Sequence, residues 1–361
     1  MNALLFANND FSASPQHKDH IRRRYEEQAA PVSLEATLKE SDKELIFTLQ
    51  HFVEMADNLL IVTSEKSTPL VSRILATLGE TEMEEKEGRL IPANTDMYDQ
   101  SSYLLSLGTC RIQVMETESE RELPPLLLKE SRALLSLNLF GMHPDDARIL
   151  LDGAAKRHHV TLSSYPHIGG WSVLDVAAKS ESAVSGFLEE TALLFQGKVC
   201  AGSSIARHLV ERLSEMGKTF TCAESCTGGR IASLITAVSG SSAVFDGSMV
   251  TYANRVKHDW IGVNETSLIA YGAVSSAVVE EMAAGILDYS GADYAVAVSG
   301  IAGPGGGTAE KPVGTVYIAA ACRKKGVRSE RLSLHGDRAH IQISASFQAL
   351  RLLFETFPEL I

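Results

Sequence analysis

Residues 219–238 read TFTCAESCTGGRIASLITAV. The apolar stretch Thr219–Ala223 predicts a buried strand, and Gly228–Val238 predicts a helix. Between them the chain must turn tightly. This strand–turn–helix order, repeated along the chain, is that of an α/β sheet with helices on its faces. Ligands in such folds bind where strands end. The turn itself, Ala223–Glu224–Ser225–Cys226–Thr227–Gly228–Gly229, sets Ser225 and Thr227 at or before a helix start. Unpaired N–H groups and the helix dipole there favour an anion or a developing oxyanion. The two glycines allow a ligand close to the backbone. The plainer reading makes Ser225 and Thr227 N-caps. Glu224 either orients its neighbours or is simply solvated.

Working outward, a helix is expected over Ser204–Met216, and further helices over Ala253–Ile261, Ser276–Tyr289 and Asp337–Phe354. Strands are expected over Ser248–Tyr252, Asp293–Val298, Val313–Ala321 and Ser329–Leu334. Together these elements predict a three-layer α/β/α domain over 201–361. A short linker, Gly197–Ser203, separates it from a small α+β module at 131–200. In that module Leu135–Phe140, Val160–Tyr165 and Trp171–Ala177 read as strands, the last two around a Gly169–Gly170 turn. Pro144–Arg157 and Glu181–Phe195 read as helices, with Pro144 well placed at a helix start. His158 and His159 are adjacent, so they point apart and would not hold one metal ion together. Residues 1–130 alternate strands (Asn2–Ala7, Asn58–Thr63, Tyr103–Leu107, Arg111–Glu116) with helices (His17–Gln28, Lys43–Met55, Thr68–Leu78). That predicts an open-sheet α/β domain. The acidic run Glu80–Glu87 reads as a solvated loop or frayed helix end.

The chain has 361 residues, 45% of them hydrophobic, with a mean hydropathy of +0.01. That is material for two or three globular domains and excludes disorder as the main state. No apolar run approaches the ~20 residues of a membrane span, and the N-terminus lacks the pattern of a secretory signal. Five scattered cysteines suit reduced thiols, so a cytoplasmic protein is expected. The net charge of -12 is concentrated in residues 1–200, which carry 30 of 45 acidic and 19 of 33 basic residues. An acidic chain without a basic stripe excludes nucleic acid as a partner. Glycine is distributed the other way, with 18 of 27 after residue 200. Chemistry is therefore sought in the second part.

Three further junctions join the first. In Val250–Thr251–Tyr252–Ala253–Asn254–Arg255–Val256–Lys257, a strand end passes into a helix carrying Lys257 in its first turns. A lysine at a positive helix start beside apolar Val256 and Trp260 has its pKa lowered, and neutral lysine is a general base for serine. Alone, Lys257 reads as a surface lysine and Tyr252 as a core aromatic or polar positioner. Ser299–Gly300–Ile301–Ala302–Gly303–Pro304–Gly305–Gly306–Gly307–Thr308 follows a strand and suits a phosphate cradle or a flexible connection. Pro304 and the strand after it exclude the usual nucleotide-loop patterns. Gly336–Asp337–Arg338 opens the last helix, where Arg338 grips a phosphate or carboxylate or simply faces solvent. Cys222 and Cys226 have no further ligands in zinc order, so no metal is expected.

In this order, AESCTGG (223–229), VTYAN (250–254) with Lys257, GAVS (272–275), SGIAGPGGGT (299–308), KPVGTV (311–316) and GDR (336–338) closely resemble the CinA C-terminal domain, the PncC-type nicotinamide-nucleotide amidohydrolase family. The resemblance covers residues 204–357. It implies deamidation of nicotinamide mononucleotide to nicotinate mononucleotide and ammonia by a serine–lysine mechanism, with no cofactor and no metal. Carried over, it makes Ser225 the nucleophile, Lys257 its base and Tyr252 a positioning or proton-transfer group. Thr227, Gly228, Gly229, Asn254, Ser299, Gly300, Gly303 and Arg338 become substrate or oxyanion ligands. The expected partner is the small-molecule substrate, with no nucleic acid and no membrane, and a homodimer is expected. The chain order also resembles full-length CinA proteins, whose first domain is molybdopterin-binding-like. Here the loop after the first strand, in LLFANNDFSAS (4–14), lacks the glycines and glutamate of that family. A degenerate domain without ADP-ribose pyrophosphatase activity is expected. The alternatives are a non-catalytic nucleotide-sensing or competence-related protein and a bifunctional enzyme with an active pyrophosphatase. Retention of Ser225 and Lys257 counts against the first, and the missing loop motif against the second.

Overall fold

The structure, a computed structural model, describes residues 1–7, 14–28, 31–39, 41–99, 101–118, 122–128, 133–168, 170–202 and 204–361. It divides into two compact units, Met1–Ser131 and Arg132–Ile361. The first contains β1 (Asn2–Ala7), α1 (Pro15–Gln28), β2 (Leu34–Leu38), α2 (Leu45–Met55), β3 (Asn58–Thr63) and α3 (Thr68–Leu78). It continues with β4 (Met83–Lys86), β5 (Arg89–Pro92), β6 (Thr95–Asp99), β7 (Ser102–Leu107) and β8 (Cys110–Glu116). Its open sheet has the order β2-β1-β3-β8-β7-β6, parallel from β2 to β8 and antiparallel beyond. Fully buried β1 and β3 carry cores on both faces, as strands covered on two sides require. The acidic run is not a loop or helix end: Met83–Lys86 pairs antiparallel with Arg89–Pro92. Glu87 and Gly88, both at positive φ, form the two-residue turn that closes this hairpin. The loop after β1 that bears on the degenerate-domain expectation includes residues 8–13, which lie outside the described residues.

The second unit begins with β9 (Ala133–Phe140), α4 (Pro144–His158), β10 (Thr161–Ile168), β11 (Trp171–Ala178), α5 (Glu181–Leu194) and β12 (Val199–Ala201). These strands form an antiparallel sheet of order β10-β11-β9-β12. The stretch read as a linker thus supplies β12, which pairs with Leu137–Leu139 of β9. His158 is a surface partner of Glu190, its Nε2 2.9 Å from the carboxylate. Residue 169 of the expected Gly–Gly turn and residue 203 lie outside the described set.

Next come α6 (Ile205–Met216), β13 (Phe220–Glu224), α7 (Arg230–Thr236), β14 (Ser248–Val250), α8 (Asn254–Ile261), α9 (Glu265–Tyr271) and α10 (Ser276–Ser290). The chain ends with β15 (Tyr294–Gly300), β16 (Thr315–Cys322), β17 (Gly326–Ser333) and α11 (Arg338–Thr356). The sheet order is β14-β13-β15-β16-β17, with the first three strands parallel and the last two antiparallel. Alternation along the strands assigns the faces. Cys222, Val296, Val298 and Ile318 join the core that includes residues of α6, α7 and α11, while Ala223, Ala295, Ala297 and Ala319 face α10. This is the α/β/α arrangement expected. Small side chains under α10 permit close packing, and Gly285 carries it further: a Cβ there would lie 1.8 Å from the Ile261 carbonyl at the end of α8. Helix α9, not anticipated from the sequence, has no buried residue to betray it. No helix among the described residues is long and apolar enough to cross a membrane.

The 131–200 module and the 201–361 domain share a core. Phe140, Trp171, Val173 and Cys200 belong to the same buried cluster as Phe220, Leu350 and Phe354. Phe140 stacks on Phe354 with ring centres 5.3 Å apart, and Trp171 meets Phe347 edge-on at 5.7 Å. Phe140→Ala is therefore expected to destabilise this unit by about 3–5 kcal/mol, read from urea unfolding. A loss below about 1 kcal/mol would mean the contact contributes little beyond a surface one.

Candidate active site

Strand β13 lies between β14 and β15, and its last residue Glu224 is in register with Val250 and Val298. The ladder continues one step further, because the Ser225 N–H donates to the Val298 carbonyl at 2.9 Å and the Thr251 N–H to the Glu224 carbonyl at 2.8 Å. Ser225 is thereby fixed at the C-terminal edge of three parallel strands. The chain then turns, with the Gly228 N–H on the Ser225 carbonyl at 3.2 Å. Gly228 and Gly229 take φ of 64° and 98°, angles that other residues adopt only with strain.

Neither Ser225 nor Thr227 caps the helix, since Gly229 holds the N-cap position of α7. The cap is supplied from the strand instead. The fully buried Glu224 carboxylate accepts from the N–H groups of Gly229 (3.0 Å), Ile231 (3.2 Å) and Ala232 (3.0 Å). The helix-start donors that the sequence offers to an oxyanion are thus occupied by Glu224. The Cys226 and Thr227 N–H groups, by contrast, donate to no other described residue.

Helix α8 brings Lys257 to Ser225. Its side chain is 1% exposed, so it is not a surface lysine. Lys257 Nζ donates to Ser225 Oγ at 3.0 Å, to the Thr251 carbonyl at 2.7 Å and to the Tyr252 carbonyl at 3.2 Å. Burial lowers its pKa from 10.5 to about 8, because a charged amine loses hydration there. Half-exposed Trp260 contributes little to that burial. The thiol of Cys226, next to the serine, is pushed up to about 12 by burial and stays protonated.

A cavity of about 200 Å³ opens on this pair, lined also by Cys226, Tyr252, Ala273, Val274, Ser299, Gly300, Ala302 and Arg338. Tyr252 is 62% exposed, and its hydroxyl accepts from Arg338 Nη2 at 3.3 Å. Arg338 Nη1 also donates to the Gly303 carbonyl at 2.7 Å, so one guanidinium ties the tyrosine to the glycine-rich loop. Ser299 Oγ donates to the Ala273 carbonyl at 2.7 Å and so fastens the opposite wall. Lys311 fastens that wall from outside through the Tyr271 and Val274 carbonyls at 2.9 and 2.7 Å. Thr227 is buried, its hydroxyl without a partner, and Thr251 is likewise. Thr227, Gly228, Gly229, Asn254 and Gly303 do not line the cavity; Asn254 stands exposed at the start of α8. Sequence reasoning left Glu224 open and missed Lys311 and the Ala273–Val274 wall. The juxtaposition of an acid with the serine in AES, and the lysine of KPVG, were the available signals. No group of three metal-ligating side chains occurs among the described residues.

A serine at the ends of parallel strands, hydrogen-bonded to a buried lysine beside a small cavity, is the candidate site of this α/β/α domain. The family model of the CinA C-terminal domain matches residues 202–357. The nicotinamide-nucleotide amidohydrolase PncC of Enterobacter agglomerans is 50% identical over 145 residues, covering 40% of this chain and 88% of that protein. PncC of Escherichia coli (strain K12) is 47% identical over 154 residues, covering 42% and 93%. The crystal structure of competence/damage inducible protein CihA from Agrobacterium tumefaciens matches at 42% identity and a TM-score of 0.42, covering 42% of this chain and 93% of that one. The chain belongs to the CinA C-terminal domain family.

Glu224→Gln keeps the volume but turns an amide N–H₂ toward backbone donors. It is expected to lower stability by about 1–3 kcal/mol, the cost of a buried donor left unpaired. An unchanged urea midpoint would contradict the capping role.

Proposed function

We propose that this chain hydrolyses the carboxamide of nicotinamide mononucleotide to nicotinate mononucleotide and ammonia, with Ser225 as nucleophile and Lys257 as general base. The observation that carries the reading is the 3.0 Å contact between Lys257 Nζ and Ser225 Oγ at a buried amine with a pKa of about 8. The amidohydrolase relatives support the substrate. At 3.0 Å the lysine is within reach of the serine proton. A neutral amine that donates to the Thr251 and Tyr252 carbonyls keeps its lone pair for the Ser225 hydroxyl.

Neutral Lys257 takes the Ser225 proton as Oγ adds to the amide carbon. The tetrahedral intermediate expels nitrogen, which leaves as ammonia with the proton from Lys257, and an ester remains on Ser225. Water, deprotonated by Lys257, then adds to the ester carbon; Ser225 recovers its proton and the carboxylate product departs. The Cys226 and Thr227 amides receive the oxyanion. Arg338 and the Ser299–Gly303 loop hold the polar remainder of the nucleotide, and Tyr252 orients Arg338. Asn254, Gly228 and Gly229 shape the turns rather than touch the substrate. No metal takes part.

Ser225→Ala is expected to lower turnover by roughly 10³-fold or more while substrate still binds, in an assay of released ammonia. Retention of a tenth of the turnover would remove Ser225 from the mechanism. The active form is neutral Lys257, so kcat rises with pH and levels off above a midpoint near 8. Lys257→Arg keeps the charge but cannot give up its proton, and is expected to be inactive at every pH. A pH-independent rate between 6 and 9 would contradict the lysine base. Activity is expected to persist in EDTA, and its loss with recovery on adding a divalent ion would contradict the metal-free route.

A further inference from the structure

The Cys226–Thr227 peptide is held from outside the cavity. Gln342, in the second turn of α11, donates from Nε2 to the Cys226 carbonyl at 2.7 Å. Its Oε1 accepts from Arg230 Nε and Nη2, both at 3.2 Å. The orientation of this amide is forced: arginine only donates and a carbonyl only accepts, so the N–H₂ must face Cys226. In a trans peptide the carbonyl and the following N–H point in opposite directions. With the Cys226 carbonyl turned to α11, the Thr227 N–H is turned away from it. Cys226 lines the cavity and Gln342 does not; Thr227, the next residue, is buried beside that wall rather than part of the lining. Thr227 is 1% exposed and its amide donates to no other described residue. A buried N–H without an acceptor is rare enough to call for one.

We propose that Gln342, held by Arg230, is a positioning residue that sets the Cys226–Thr227 peptide plane and aims the Thr227 amide at the oxyanion formed on the substrate. This rests on the amidase reading above. Neither residue touches the substrate; the pair acts through the peptide. Two residues on different helices, α7 and α11, thus fix an atom next to the nucleophile, and their alignment depends on the packing between those helices.

Gln342→Glu tests the assignment. The substitution keeps the size and strengthens the pairing with Arg230, so the fold is retained, but a carboxylate has no N–H for the Cys226 carbonyl. The full-length variant is expected to fold but to melt somewhat lower than the parent, because a carboxylate oxygen then faces the Cys226 carbonyl. Its kcat should fall about 10²-fold, the scale of losing one oxyanion donor. KM and the pH midpoint should stay unchanged, because Lys257 and the nucleotide contacts are untouched. The rate at which a fluorophosphonate labels Ser225 should fall in parallel, since its P–O⁻ oxygen occupies the same place. Arg230→Met combined with Gln342→Lys restores a donor to the Cys226 carbonyl and should recover most of the loss. Labelling of Gln342→Glu at the parent rate overturns the proposal. If the parent is labelled but does not turn over nicotinamide mononucleotide, the substrate assignment fails, and the labelling rates alone decide the role of Gln342.

Discussion

An amine with almost no solvent must have an oxygen for every proton it carries. Lys257 has three: two backbone carbonyls and the Ser225 hydroxyl. As an ammonium it donates to all three. As a neutral amine it keeps two donations, and the serine changes from acceptor to donor. The site is therefore satisfied in both protonation states, and proton exchange between lysine and serine needs no rearrangement. Burial sets the balance near neutrality rather than far above it. The rest of the domain exists to hold those oxygens still. Thr251 is locked to Glu224 by the extended ladder. Helix α8 is pressed against α10 where Gly285 admits the Ile261 carbonyl.

Helix α11 links this site to the preceding module. Its first two turns supply Arg338 at the cavity mouth and Gln342 behind the serine turn. Further along, Phe347 and Phe354 pack on Trp171 and Phe140. Between them, buried Arg351 lies under Gly170, 3.5 Å from where a Cβ would stand, and is held by Glu330 and Glu355. One helix thus serves both the site and the module's sheet. The module that reads as a separate 131–200 domain in the sequence packs into the amidase core in space.

The parts of the site legible in the sequence are those whose function and position lie within one short string. AESCTGG announces a strand, a turn and a serine together, and VTYANRVK places a lysine one helical turn past a strand end. What the sequence hides are partnerships between distant strings. Gln342 and Cys226 are 116 residues apart, and no local periodicity marks either. Glu224 looked free to be solvated because its acceptors' partners, three backbone amides, have no side-chain signature. In the fold, β12 was lost inside a glycine-flanked stretch too short to alternate, and β4 because its charged residues on a two-stranded ribbon mimic a loop. The long buried strands β1, β3 and β15 were legible because apolar runs of that length have few other uses.

Direct titration of Lys257 bears most heavily on the account. With ¹³Cε-labelled lysine in the full-length protein, the resonance assigned by its loss in Lys257→Arg should show an inflection near 8, well below the value of about 10.4 of a free lysine side chain. A Lys257 resonance titrating at the free-lysine value would mean that the amine is charged throughout the neutral range, and Ser225 would have no base.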